Sequence, residues 1–118
     1  MLSDPENEMV LSCKEKMSTY SKQDWENMAD EATLLTNRLG ELVLYNIPIE
    51  SKLAEDGFDS LMKHFDDWFF KINEDYAKRF AFACHAHPGW VLFFDGFHQG
   101  VSKYISKVCF RYSHKLAE

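Results

Sequence analysis

Between Trp25 and Leu42 the apolar residues Trp25, Met28, Ala32, Leu35, Leu39 and Leu42 return at steps of three and four. A helix with 3.6 residues per turn gathers all of them onto one face, whereas a strand would scatter them over two. The spacing therefore predicts a long amphipathic helix from about Lys22 to about Tyr45. Ser21 is placed as its N-cap. Asp24, three residues on, completes an acidic form of the capping box: the cap oxygen accepts an orphan amide and the carboxylate faces the positive end of the helix dipole. Tyr20, just before the cap, can staple onto the face carrying Trp25. Asn46-Ile47-Pro48-Ile49 must end this helix, because Pro48 has no amide hydrogen and biases Ile47 towards extended backbone.

The helical period continues downstream. A second helix is expected from about Ser51 to about Ile72, with Leu53, Phe58, Leu61, Phe65, Trp68 and Phe69 inward and Gly57 as a weak point. Asn73 reads as the N-cap of a third, with Glu74 and Asp75 in its first turn and Tyr76, Phe80, Ala83 and Cys84 along one side. His87-Pro88-Gly89 is a turn signal, after which Trp90, Phe93, Phe94 and Phe97 have the spacing of a short helix. Gly100 ends or re-aims it. A last helix from about Val101 carries Val101, Tyr104, Ile105, Val108, Cys109 and Tyr112, with Lys103, Lys107, Arg111 and Lys115 running towards its negative end. No segment sustains period-two alternation. The expected fold is all-α, a single-domain bundle of about five helices. Residues 1–16 are expected to form a frayed or partly helical arm, with one short helical possibility around Met9-Val10, and residues 17–118 the domain proper.

At 118 residues the chain can bury one core and hold one cleft. Its formal net charge of −6 repels phosphate backbones, so direct nucleic-acid binding by this chain is not expected. No run approaches the roughly 18 apolar residues of a membrane span, and the polar start Met1-Leu2-Ser3-Asp4-Pro5-Glu6 has no signal-peptide core, so a cytoplasmic location is expected. Cys13, Cys84 and Cys109 lie far apart in no Cys-x-x-Cys arrangement. They read as small buried hydrophobes, not as a disulfide or zinc framework.

Residue types with catalytic chemistry are present without a catalytic pattern. Asp66-Asp67, Asp56 with Asp59, and Glu74-Asp75 are acids on helices, where adjacent side chains diverge into solvent. His85 and His87 project about 200° apart on a helix, so a metal held by these with His98 would require the helix to end between them; none is expected. Cys84 beside His85 is adjacency in sequence alone. The glycines Gly40, Gly57, Gly89, Gly96 and Gly100 are scattered and form no phosphate loop. No cofactor is expected, and no enzymatic activity.

Several of these features coincide with one family. The start Tyr20-Ser21-Lys22-Gln23-Asp24-Trp25, the helix segment ending in Thr36-Asn37-Arg38-Leu39, and the tail positions Trp90, Phe94-Asp95 and Gly100-Val101 resemble the TipAS-type antibiotic-recognition domain. This is the effector half of TipA-like regulators of the MerR family. The likeness runs from about Met17 to about Tyr112. It implies a globin-like helical fold without haem, whose cleft binds thiopeptide antibiotics or other bulky apolar compounds and switches an attached DNA-binding part. The chain resembles the short, free-standing form, without the winged helix and coiled coil of full-length regulators. Where many relatives have a Tyr followed by Asp and an aromatic, this chain reads Cys84-His85-Ala86-His87-Pro88-Gly89-Trp90. Between Phe69 and Glu74 it has no cysteine of the kind that captures dehydroalanine groups, so covalent capture is not carried over.

The aromatic content, 10 Phe, 5 Tyr and 3 Trp, exceeds what one inward stripe per helix can absorb. Trp68, Phe69, Phe70, Trp90, Phe93 and Phe94 include rings that must face away from the core centre, where they can line a cleft or a dimer interface. The expected ligand site comprises His64, Trp68, Phe69, Tyr76, Phe80, Trp90 and Phe94, with His64 and Tyr76 as the polar contacts. Its expected occupant is a hydrophobic small molecule or peptide antibiotic. The alternatives are a homodimer through the rings near Trp68 and Trp90, or haem or metal on His64 or His85.

Overall fold

The computed structural model describes the backbone of residues 5–117 and the side chains of residues 11–117; residues 1–4 of the expected arm lie outside this range. Six α-helices and a closing 3₁₀ turn follow one another with no strand among the described residues. They are α1 (Pro5–Ser18), α2 (Lys22–Leu44), α3 (Lys52–Trp68), α4 (Glu74–Ala86), α5 (Pro88–Asp95) and α6 (Val101–Tyr112), with the turn at Ser113–Leu116. The helix beyond the expected five is α1. None of the described helices is long and apolar enough to cross a membrane.

The start of α2 follows from its local chemistry. Ser21 Oγ accepts the Asp24 amide at 3.1 Å, and Asp24 Oδ2 accepts the Ser21 amide at 3.0 Å, closing the capping box. The Tyr20 ring sits edge-on to Trp25 and also to Trp68, each at 5.6 Å, and its hydroxyl donates to the Trp68 carbonyl. The staple thus joins the start of α2 to the end of α3. Trp25 remains 40% exposed, so its partner is this ring and not the core that the periodicity suggests. At the other end of α2, Asn46 takes a left-handed φ of 54°. Its amide donates to the Val43 carbonyl and that of Ile47 to Leu42, the paired bonds of a Schellman ending.

Two boundaries differ from the sequence reading. Helix α3 stops at Trp68, four residues before Ile72: the amides of Phe69 and Phe70 both reach the Phe65 carbonyl, and Asp66 Oδ1 accepts the Ile72 amide at 2.9 Å. The run Trp68-Phe69-Phe70-Lys71-Ile72 contains no Gly or Pro, so periodicity alone cannot stop there. His87-Pro88-Gly89 is the first turn of α5 and not a separate turn: His87 is its N-cap and Pro88 takes the N1 position, where a missing amide costs nothing. Asn73 caps α4 as expected, accepting the Tyr76 amide at 2.7 Å.

Helix α6 is central, packing on α2, α3, α4 and α5. Val101, Ile105, Val108 and Cys109 on it are buried, together with Phe58 of α3 and Ala77, Ala81 and Cys84 of α4. Leu53, expected inward, lies exposed in the first turn of α3. Tyr104 and Tyr112 reach from α6 to the α2–α3 link, their hydroxyls donating to the Ile47 and Ile49 carbonyls at 2.9 and 2.7 Å. Lys115 in the closing turn holds Glu55 and Asp59 of α3 at 2.8 and 2.7 Å.

The entry to α6 explains two of the tail residues that carry the family likeness. Gly100 has φ 95°, and Asp95 Oδ1, at the end of α5, accepts the Ser102 amide at 3.0 Å. A Cβ at Gly100 would meet only Val43 at an ordinary 3.5 Å, so the cost of a side chain there is conformational and not steric. Gly100→Ala should lower the unfolding free energy by about 1–2 kcal/mol with an unchanged urea slope, read from equilibrium denaturation.

Cys84 and Cys109 are buried, as their reading as small hydrophobes requires, but Cys13 on α1 is only partly covered. Burial pushes the Cys84 thiol up to about 12 and Cys109 higher still. Folded protein at neutral pH should therefore react with a maleimide at Cys13 alone, and urea should release the other two. Because the unfolded Cys84 thiol ionises from about 9 while the folded one holds its proton to about 12, this group's contribution is intact below pH 9 and lost as pH rises through that window. Cys84→Ala should flatten the alkaline fall in stability.

Candidate functional site

The rings of α3, α4 and α5 converge on a cleft of about 360 Å³ whose far wall is α2. Ala32, Leu35 and Thr36 come from α2; Leu61, His64 and Phe65 from α3; Phe69 and Phe70 from the α3–α4 link. Tyr76 and Phe80 come from α4, and Trp90, Phe93 and Phe94 from α5. Of the residues expected from sequence, His64, Phe69, Tyr76, Phe80, Trp90 and Phe94 meet here. Trp68 does not line the cleft.

Phe80 is the hub of its ring network. It meets Phe65 edge-on at 5.1 Å, Trp90 at 5.7 Å and Phe94 at 6.2 Å, and it is buried. Trp90 and Phe94, four residues apart on α5, stack at 5.7 Å with planes 18° apart. Phe70 closes on Tyr76 at 4.7 Å, and Phe69 sits edge-on to His64 at 5.9 Å. The early end of α3 places Phe69 and Phe70 here, since a continued helix would carry successive residues about 100° apart around its axis. At the mouth Trp90 is 41% and Phe93 57% exposed.

Polar groups in the cleft are few. Thr36 Oγ1 already donates to the Ala32 carbonyl at 2.8 Å. His64 is buried, with Nδ1 at 2.7 Å from Glu31 Oε1 of α2, and the same oxygen accepts Trp68 Nε1–H at 3.3 Å. Trp68 therefore acts behind the wall, helping to hold the carboxylate that holds His64. Glu31 is the residue that the aromatic and polar reading missed. Its signal is position: it falls three residues after Met28 and four before Leu35, an acid at the edge of the apolar face of α2.

A larger hollow of about 480 Å³ lies between α2 and α3, sharing Leu35 with the cleft. It carries Arg38, Glu41 and Asp56, gathers one ring, Tyr45, and contains no buried polar group. Of the acids singled out in the sequence, Asp56 pairs with Lys52 at 3.0 Å, Asp67 with Lys63 at 2.6 Å and Asp75 with Arg79 at 3.1 Å, and Asp66 accepts the Ile72 amide. Cys84, with its raised thiol, is the opposite of an activated nucleophile. His87 Nδ1 takes the Trp90 amide and His98 Nδ1 donates to the Gln99 carbonyl. Among the described residues no group of three His, Cys, Asp or Glu side chains is placed to hold a metal ion.

The cleft should separate hub from rim in a stability measurement. Phe80→Ala is expected to cost about 3–5 kcal/mol in urea unfolding, and Phe93→Ala at the mouth less than about 1 kcal/mol.

A family model described as the TipAS antibiotic-recognition domain matches residues 6–112. Comparison with curated proteins and with solved structures gives no match.

Proposed function

This chain belongs to the TipAS antibiotic-recognition family, and we propose that its aromatic cleft binds bulky apolar compounds of the thiopeptide type without chemical change. The observation that carries this reading is the cleft itself: walls of aromatic and aliphatic side chains enclosing about 360 Å³, with His64, Tyr76 and the already engaged Thr36 as its polar groups. Sites for drug-sized ligands have this composition, and the volume is at the lower end of their range. A macrocyclic antibiotic therefore inserts one edge among the rings of Trp90, Phe94 and Phe69 and lays the remainder across the exposed Phe93 at the mouth. Release of water from these rings supplies most of the affinity, and His64 and Tyr76 orient the inserted edge.

Binding of this kind serves either to withhold the compound from its target or to report its presence to a DNA-binding unit. With a net charge of −6, contact with DNA falls to that unit and not to this chain.

Tryptophan fluorescence provides the test, because Trp90 lines the cleft while Trp25 and Trp68 do not. Titration with a thiopeptide and a panel of hydrophobic antibiotics should change the emission, and Trp90→Phe should remove most of the change. No response across the panel, or a response carried entirely by Trp25 or Trp68, would overturn the proposal.

A further inference from the structure

The contact with Glu31 gives His64 a defined hydrogen-bonding character. Glu31 Oε1 accepts from Trp68 Nε1, and an indole N–H can only donate, so this oxygen acts as an acceptor. The same oxygen lies 2.7 Å from His64 Nδ1, which places the proton of a neutral imidazole on Nδ1, donating to Glu31. Among the described residues His64 Nε2 has no hydrogen-bond partner. Since no buried side-chain nitrogen or oxygen among the described residues lacks a partner, Nε2 reaches accessible space, and His64 is one of the residues lining the cleft, which makes the cleft the space we assign to it. In the neutral ring Nε2 is an acceptor.

Resting on the reading of this cleft as a ligand site, we propose that it selects flat aromatic ligands that bring a hydrogen-bond donor, an amide or azole N–H or a hydroxyl, to His64 Nε2. Glu31 is the positioning residue, because it fixes the tautomer from the helix opposite. An apolar ligand without a donor would cover Nε2 and leave it unmatched, and an unmatched buried acceptor costs more than a made hydrogen bond gains. Sites built to bond an N–H or O–H reject analogues lacking it more strongly than apolar pockets reject a change of size. The aromatic walls supply affinity, and His64 supplies the choice.

The test uses two probes that share one ring system, 2-naphthol and 2-methoxynaphthalene, titrated by calorimetry at pH 8. The full chain should bind 2-naphthol at least about fivefold more tightly. His64→Phe and Glu31→Leu should each bring the ratio close to one while the ether still binds, and Glu31→Gln, which keeps an accepting oxygen, should preserve it. Nitrogen NMR of the unsubstituted protein reads the tautomer directly, and should show Nδ1 protonated and Nε2 as the bare nitrogen. Equal binding of the two probes or the reverse tautomer overturns the donor selection and leaves the cleft standing. If neither probe binds, the donor selection fails, and the thiopeptide titration decides separately whether the cleft is a ligand site.

Discussion

The close approach of α4 to α6 is the contact from which the rest of the arrangement follows. Ala77, Ala81 and Cys84 present small buried side chains at steps of four and three along α4. Opposite them, Ser106 donates to the Ala81 carbonyl at 2.6 Å and Ser102 to the Cys84 carbonyl. Small residues let two backbones come near, and the serine hydroxyls find acceptors on the neighbouring helix instead of remaining as unmatched polar atoms in the core. The pairing of 102 with 84 and 106 with 81 runs the helices antiparallel. Tyr76 and Phe80 lie about 100° around α4 from that seam, so the packing of the small face determines where the aromatic face points. The sequence pattern places Tyr76, Phe80, Ala83 and Cys84 on a single side; the structure gives α4 two working faces, one closed against α6 and one lining the cleft.

Much of the fold is legible in the sequence because its signals are local. The Ser21–Asp24 box, the Tyr20 staple, the Asn73 cap and the Asn46–Pro48 ending each rest on residues within a few positions of one another, and each appears where the spacing puts it. The end of α3 is not legible in the same way. It depends on Phe69 and Phe70 turning into an aromatic cluster built by α4 and α5, and on Asp66 capping an amide six residues on. The apolar run there carries no breaker, and local propensity predicts continuation. Likewise, Glu31 becomes meaningful only once α3 sets His64 and Trp68 beside it.

The resemblance to the antibiotic-recognition family rests on residues with physical tasks in this chain. Ser21 and Asp24 cap α2, Tyr20 ties it to α3, Phe94 is the buried member of the ring stack, Asp95 caps α6 and Gly100 allows the turn into it. These tasks preserve the scaffold around the cleft, and of the residues that carry the likeness only Thr36, Trp90 and Phe94 also line it. Family membership is therefore readable from the scaffold, whereas the proposed ligand contacts His64, Phe69 and Tyr76 lie outside those motifs.

The cleft stays open because of an imbalance in size across it. Helix α2 offers Ala32 and Thr36 where α3, α4 and α5 offer rings, and the rings brace one another mainly in edge-on contacts and do not collapse onto α2. Protein interiors ordinarily fill to crystal-like density, so a cleft lined this way leaves apolar surface uncovered, and covering that surface is the driving force in the proposed binding. The same helix that leaves the space also carries Glu31, which holds His64 at its edge. The position of α2 against α3 thus governs both the width of the cleft and the character of its polar group. That position is held at one end by Tyr20 reaching Trp68 and at the other by Tyr104 and Tyr112 gripping the α2–α3 link.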